Sequence, residues 1–205
     1  MWRGRNENGK GGSRTALTRR VSKAKMRYDP KKHHRRSIRL KEYDYTRAGA
    51  YFVTICAWNR ECLFGEVVNG EIRLNEWGEV VAKTWECLEE RYPYVILDEW
   101  VIMPNHLHGI VIITDDIEYR RGGSRTAPTE TLKRKPLGRL IGAFKTVSTK
   151  LINEIRSNPG APLWQRNYYE HIIRSERDLQ DIREYIAGNP IKWEEDEENP
   201  DKIVR

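Results

Sequence analysis

Val101–Ile113 reads VIMPNHLHGIVII, and its two histidines, His106 and His108, are separated by one leucine. They open an apolar run, Ile110–Ile113, whose β-branched content predicts a buried strand. Side chains two apart on a strand project from the same face. His106 and His108 therefore offer two imidazoles side by side, a geometry that suits one divalent metal ion. The same spacing also fits a satisfied polar rim at a strand end. Pro104-Asn105 just upstream is turn chemistry, so Val95–Met103 is expected to fold back as an antiparallel partner.

Upstream, Tyr51–Trp58 (YFVTICAW) gathers aromatic and β-branched residues in a short block, which predicts another strand. Leu63–Leu74 predicts a hairpin turning at Asn69-Gly70. Trp77, Val81, Trp85 and Leu88 then recur at helical spacing across Glu76–Tyr92, and Pro93 closes that helix. Downstream, Pro136–Ile155 predicts a second amphipathic helix, with Leu137, Leu140, Ile141, Phe144, Val147 and Leu151 as its buried stripe and Arg139, Lys145 and Lys150 off it. Leu163-Trp164 and Tyr168–Ile173 supply an edge strand. A third helix spans Glu176–Gly188, with Ser175 as N-cap, Leu179, Ile182 and Ile186 inward, and Gly188 and Pro190 as its stop. Strands interleaved with helices and a hairpin predict an α+β fold: a ferredoxin-like sandwich with a central antiparallel sheet and helices on one face, plus a C-terminal helix. The His-x-His strand is expected at its centre.

Composition bounds the setting. The 205 residues are 38% hydrophobic and 33% charged, room for one domain plus extensions. Cys56, Cys62 and Cys87 form no C-x-x-C pair and leave an odd count, which argues against a disulfide framework or a cysteine zinc site and for a reducing cytoplasm. No run approaches the ~18 apolar residues of a membrane span, and the basic N-terminal stretch lacks the apolar core of a secretory signal. Charge is unevenly placed: residues 1–41 carry 15 Lys/Arg against Glu7 and Asp29, a net +13, whereas the whole chain is +7. A basic arm before a mildly acidic body points to a polyanion, most simply nucleic acid, and Arg35, Arg36 and Arg39 at its end are candidate phosphate contacts. The bland alternative is a solvated tail without a specific partner.

The expected organisation is a basic flexible arm (1–36), a domain (37–193) with a mobile insert loop (115–135), and a solvated acidic tail (194–205). Gly11–Thr18 (GGSRTALT) and Gly122–Thr129 (GGSRTAPT) match at seven of eight positions. Neither copy has the apolar content to pack a core, so they read as tolerated additions rather than a structural repeat.

Tyr185 and Asn189 are four apart on the third helix, so phenol and amide share a face. If that face meets the sheet where His106 and His108 project, two imidazoles, an amide oxygen and a phenol occupy one site. An amide oxygen is a reasonable third ligand for a hard cation. The phenol would be a nucleophile, one that needs activation because its ordinary pKa is about 10. Duller readings stand beside these. Tyr185 is one of ten tyrosines and fits a half-buried helix position, and Asn189-Pro190 is also ordinary helix-stop chemistry.

MPNHLHGI resembles the HUH motif (histidine, hydrophobic, histidine) of single-tyrosine transposases and their relatives. RRSIRLKEYDYTRAGAYFVTICAWNRECLFGEV, WVIMPNHLHGIVI, AFK, LWQRNYYEHIIRSERDL and YIAGNP, in that order over roughly residues 35–193, together resemble the REP-associated tyrosine transposases. The resemblance implies that Tyr185, the tyrosine of YI-x-x-NP, is the nucleophile and that Asn189 joins His106 and His108 as the third metal ligand. Tyr168 and Tyr169 do not match the catalytic position. It further implies cleavage of single-stranded DNA beside hairpins of repetitive elements, through a 5′-phosphotyrosine link and a free 3′-hydroxyl, with Mg2+ or Mn2+ as cofactor and no ATP. Imidazole ligands favour the softer ion, manganese. Glu170, His171 and Arg174 match a family segment, with Arg174 a candidate DNA contact, and Lys145 of AFK is another; Trp164 fits packing. Either a monomer or a homodimer accords with this pattern. Two other functions compete: a domesticated hairpin-binding protein that does not cut, and a metal-dependent hydrolase in which His106 and His108 activate water.

Overall fold

The computed structural model describes residues 43–115 and 134–202. The basic arm 1–36, Arg35, Arg36 and Arg39, both GGSRTA copies and positions 116–133 of the insert lie outside the described residues. In chain order the elements are β1 (Gly49–Cys56), β2 (Gly65–Val68), β3 (Glu71–Leu74), α1 (Glu76–Arg91), β4 (Val95–Met103), β5 (His106–Ile113), α2 (Leu137–Ile155), β6 (Tyr169–Ile173) and α3 (Glu176–Ala187). Four strands form one antiparallel sheet in the order β4-β5-β1-β6, and β2 and β3 pair separately. With that hairpin set apart, strand-helix-strand-strand-helix-strand is the split βαβ arrangement of a ferredoxin-like sandwich. As expected, β5 is internal.

Alternation along β5 decides what each face holds. Leu107, Val111 and Ile113 belong to the main core with Val53 and Ile55 of β1, Val81, Trp85 and Leu88 of α1, and Leu140 and Phe144 of α2. Ile110 and Phe52, which pair across the β1–β5 ladder, share a smaller core with Ile182 and Ile186 of α3. Thus α1 and α2 cover one face and α3 lies on the other, the face to which the even-numbered His106 and His108 also project. Gly109 serves the first face. A Cβ there would stand 2.8 Å from Trp85 Cζ2 and 3.3 Å from Trp100 Cβ, so its absence lets the α1 indole close on the sheet.

Local signals act as expected at several boundaries. Asn69 and Gly70 have φ of 54° and 79°, the left-handed pair that a two-residue hairpin needs. The Asn75 side chain caps α1 by accepting from the amides of Trp77 and Gly78, both at 3.0 Å.

The buried stripe of α2 departs from expectation in its second half. Val147 and Leu151 are 37% and 40% exposed, while Ser148 and Ile152 are buried. Hydrophobicity cannot place Ser148 inward, but hydrogen bonding can. Its hydroxyl donates to the Phe144 carbonyl at 2.8 Å and accepts from Trp164 Nε1 at 2.9 Å, so its polarity is matched inside the core. Trp164 packs there against Phe144 and Phe64, in line with the packing role expected of it. Ile152→Ala is expected to cost about 2–5 kcal/mol in urea unfolding, and Leu151→Ala less than about 1 kcal/mol. The reverse ranking would return the stripe to the positions that hydrophobicity alone selects.

Candidate active site

Helix α3 is fastened to the imidazole face at several points. Ile182 and Ile186 enter the smaller core. Arg183 Nε and Nη2 donate to Asp98 Oδ1 and Oδ2 at 2.7 and 2.6 Å, a two-pronged pair on β4 where its register with β5 shifts between Leu97 and Trp100. That guanidinium holds the Asp98 carboxyl below its ordinary range. At the other end Ser175 accepts from the Asp178 amide at 3.1 Å, and Asp178 Oδ2 takes His171 Nε2 of β6 at 2.9 Å.

So fixed, α3 brings the Tyr185 hydroxyl to 3.2 Å from His108 Nε2. Its ring stands edge-on to Phe52, with centroids 6.0 Å apart. The residue is 39% exposed, which leaves part of the phenol open to solvent although its hydroxyl contacts a buried imidazole.

The two imidazoles have ring centroids 4.4 Å apart, and each is oriented through Nδ1. Asn105 donates from Nδ2 to the carbonyls of Arg60 (3.0 Å) and Glu198 (2.6 Å), which turns its Oδ1 toward His106 Nδ1 at 2.8 Å. His106 therefore donates from Nδ1 and keeps a lone pair on Nε2. Thr54 Oγ1 lies 2.8 Å from His108 Nδ1; by accepting that proton it leaves His108 Nε2 as the acceptor for the Tyr185 hydroxyl.

Two buried atoms here have no hydrogen-bond partner: His106 Nε2 and Asn189 Oδ1. An unsatisfied buried polar group costs about 1–3 kcal/mol, and a cation between these two would satisfy both. Asn189 makes no side-chain cap to the turn that follows it, and its Nδ2 donates to Asp196 Oδ2 at 3.0 Å, so the oxygen is the end left over. His106, His108 and Asp196 present ligand atoms within 4.8 Å of one another. Imidazole nitrogens with amide and carboxylate oxygens are donors that a Mg2+ or Mn2+ site accepts.

Burial pushes the His106 imidazolium down to about 3, with the Arg60 charge adding to it. Burial and the neighbouring His106 lower His108 as well, against a smaller opposing pull from Asp196. Both rings are thus neutral near pH 7. Burial raises the Tyr185 phenol above its ordinary range, the carboxylates of Asp196, Glu198 and Glu197 push the same way, and the Asn189 amide opposes them.

Those carboxylates correct one expectation. Residues 194–198 were expected to be solvated; Glu194, Glu195 and Glu197 are exposed, but Asp196 and Glu198 turn inward toward the site. A short 3-10 turn, Pro190–Glu195, follows Asn189 and brings the Trp193 ring to 6.1 Å from that of His106. Glu198 pairs with Arg60 Nε at 2.9 Å, and its side chain is 13% exposed. A run of acids reads as solvent-facing only when its partner is unseen, and Arg60 lies 138 positions earlier in the chain.

Of the residues singled out in the sequence, His106, His108, Tyr185 and Asn189 come together. Lys145 does not join them. Its ammonium donates to the carbonyls of Gln165 (2.9 Å) and Asn167 (3.0 Å), and burial pushes its pKa down to about 8. Arg174 is exposed just before α3, roughly 16 Å from Tyr185 along the helix axis. Sequence reasoning missed Asn105, Thr54 and Asp196. Asn105 had a signal in its adjacency to His106, and Thr54 in being the one polar residue of YFVTIC. Asp196 had none.

In the unfolded chain both histidines take protons near pH 6.5, and in the fold only well below that. The unfolded state therefore binds more protons across that interval. This contribution to stability is complete above about pH 6.5 and declines on acidification, by up to about 1.4 kcal/mol per pH unit per histidine. Urea unfolding as a function of pH should show this slope, and His106→Gln should flatten it. An unchanged slope in the variant would contradict the burial-driven shift.

No family model matches the sequence. An uncharacterized protein of Haemophilus influenzae is 43% identical over 173 residues, covering 83% of this chain and 96% of the relative. A second protein of that organism, described as a putative REP-associated tyrosine transposase, is 25% identical over 150 residues, covering 73% of this chain and 74% of the relative. Among solved structures, a REP-associated tyrosine transposase bound to a REP hairpin has a TM-score of 0.50 at 20% identity, over 75% of this chain and 74% of the other. This last match shows the shared fold, a four-stranded antiparallel sheet with its helices. In sequence the chain is thus similar to a putative REP-associated tyrosine transposase, and in fold to a solved member of that family.

Proposed function

We propose that the protein cleaves and rejoins single-stranded DNA beside hairpins of repetitive elements, with Tyr185 as nucleophile and a divalent ion, Mg2+ or Mn2+, held by His106, His108 and Asn189. The observation that carries this reading is the 3.2 Å approach of the Tyr185 hydroxyl to His108 Nε2, beside the orphaned His106 Nε2 and Asn189 Oδ1. The REP hairpin held by the solved relative supports the choice of substrate.

Tyr185 Oη attacks the phosphorus of a phosphodiester and gives its proton to solvent. The bond to the 3′-oxygen breaks, that oxygen takes up a proton, and the 5′ side stays on Tyr185 as a phosphotyrosine. One bond replaces another of similar energy, so a 3′-hydroxyl from the same or a second strand can reverse the step without a nucleotide cofactor. His106, His108 and Asn189 would hold the divalent ion, which would supply positive charge to offset the negative charge developing on the phosphate. The chain's own groups do the positioning. Asn105 and Thr54 fix the two imidazole tautomers, Phe52 supports the phenol, and the Arg183–Asp98 pair sets the helix.

A single chain brings all four groups together, so a monomer suffices. Arg174, Arg35, Arg36 and Arg39 are the proposed phosphate contacts. Lys145 acts at one remove, by holding the loop at Gln165 and Asn167. A DNA substrate and three free cysteines fit a cytoplasmic protein, and no helix among the described residues is long and apolar enough to cross a membrane.

The test is incubation with Mn2+ and single-stranded hairpins from repeats near the coding region, read by denaturing electrophoresis. A protein-linked DNA band is expected, and Tyr185→Phe should reduce it by at least about 1,000-fold while hairpin affinity is kept. Cutting by Tyr185→Phe at the wild-type rate would instead favour a water-activating hydrolase, and binding without cutting by the wild type a pure hairpin-binding protein. Because its surroundings raise the phenol, adduct formation should climb with pH from about 6 to 9; a rate falling over that interval would argue against phenolate attack.

A further inference from the structure

Asp196 lies outside the set of groups that the HUH pattern contributes, yet its carboxylate reaches them. The route is short. Asn189 follows α3 and its C-cap Gly188, one 3-10 turn carries the chain through Pro190–Glu195, and Asp196 returns beside Asn189. There its Oδ2 accepts from Asn189 Nδ2 at 3.0 Å and its Oδ1 from the Glu198 amide at 2.6 Å. Glu198 is itself tied down, by Arg60 at 2.9 Å and, through its carbonyl, by Asn105 at 2.6 Å. Asn105 also orients His106, so one chain of bonds fixes both the imidazole and the carboxylate. Two side chains more than nine-tenths buried, His106 and Asn189, leave an unpartnered donor atom at this spot, and Asp196 is the one acid whose oxygen lies with the two histidine nitrogens within 4.8 Å among the described residues.

We propose that Asp196 is a fourth protein ligand of the divalent ion, a carboxylate delivered by the segment after α3. This rests on the metal-dependent reading above and deepens it. Two imidazoles and an amide bring no charge, so a divalent ion held by them alone would keep its whole double charge in a buried place. One carboxylate halves that, leaving a single positive charge to face a single phosphodiester charge. It also adds an oxygen to a nitrogen-rich set, which moves the site toward the harder ions, manganese and magnesium, and away from zinc.

The experiment uses the full chain without DNA and reads Mn2+ binding by calorimetry and by the electron-spin signal of the free ion. Asp196→Ala is expected to weaken Mn2+ binding by roughly 100-fold, at or above the loss from groups that only orient a ligand, and His106→Ala to do the same. In a background with Cys56, Cys62 and Cys87 replaced by serine, Asp196→Cys titrated with Cd2+ should give an ultraviolet thiolate-to-cadmium band absent from that background alone, which a merely structural role would not produce. Thermal unfolding of each variant shows whether it folds, and if Asp196→Ala does not, the cadmium band decides. Wild-type Mn2+ affinity in Asp196→Ala, with binding lost in His106→Ala, overturns the carboxylate ligand and leaves the metal site standing. A wild-type chain that takes up no Mn2+ overturns both.

Discussion

β5 is buried on both sides, and the alternation of its side chains gives each side a different task. Odd positions, Leu107, Val111 and Ile113, enter the core under α1 and α2; even positions, His106, His108 and Ile110, face α3. A one-residue slip of the β1–β5 register would carry the imidazoles into the apolar core and the leucine to the site. Both faces resist that slip. Gly109 admits the Trp85 indole on one, and on the other Thr54 stands opposite His108 and hydrogen-bonds to it. The hydrophobic packing that specifies the sheet thus also sets the spacing of the site.

The desolvation that makes the site unusual has the same origin. Imidazoles in so dry a place are neutral, so each keeps a lone pair on Nε2, unpartnered in His106 and facing the Tyr185 hydroxyl in His108. The phenol is affected in the opposite sense, because burial and the nearby carboxylates disfavour its anion. A cation in the centre would relieve both, by meeting the lone pairs and by countering the carboxylates. The protein without it carries two orphaned atoms, a form of strain that binding removes.

The local elements were legible because periodicity and turn chemistry are local. The Asn-Gly hairpin, the helix caps at Ser175 and Gly188 and the strand pair around Pro104-Asn105 all stand where short-range patterns put them. The four site residues came from strand and helix spacing together with a resemblance; spacing alone left Asn189 divided between ligand and cap. The illegible parts depended on partners distant in sequence. Ser148 displaces Val147 from the core because Trp164 and the Phe144 carbonyl receive its hydroxyl. Within the acidic segment after α3, Glu198 turns inward because Arg60 and Asn105 hold it. Hydrophobicity and charge counts carry no term for a polar group that finds its match.

The central claim is that α3 delivers the phenol of Tyr185, and no other tyrosine, to the face that carries the paired imidazoles. Mass spectrometry of the tryptic digest of a protein–DNA adduct tests it directly. The account predicts the nucleotide on Glu184–Lys192 (EYIAGNPIK), at Tyr185. A nucleotide on the peptide that holds Tyr168 and Tyr169 would contradict it.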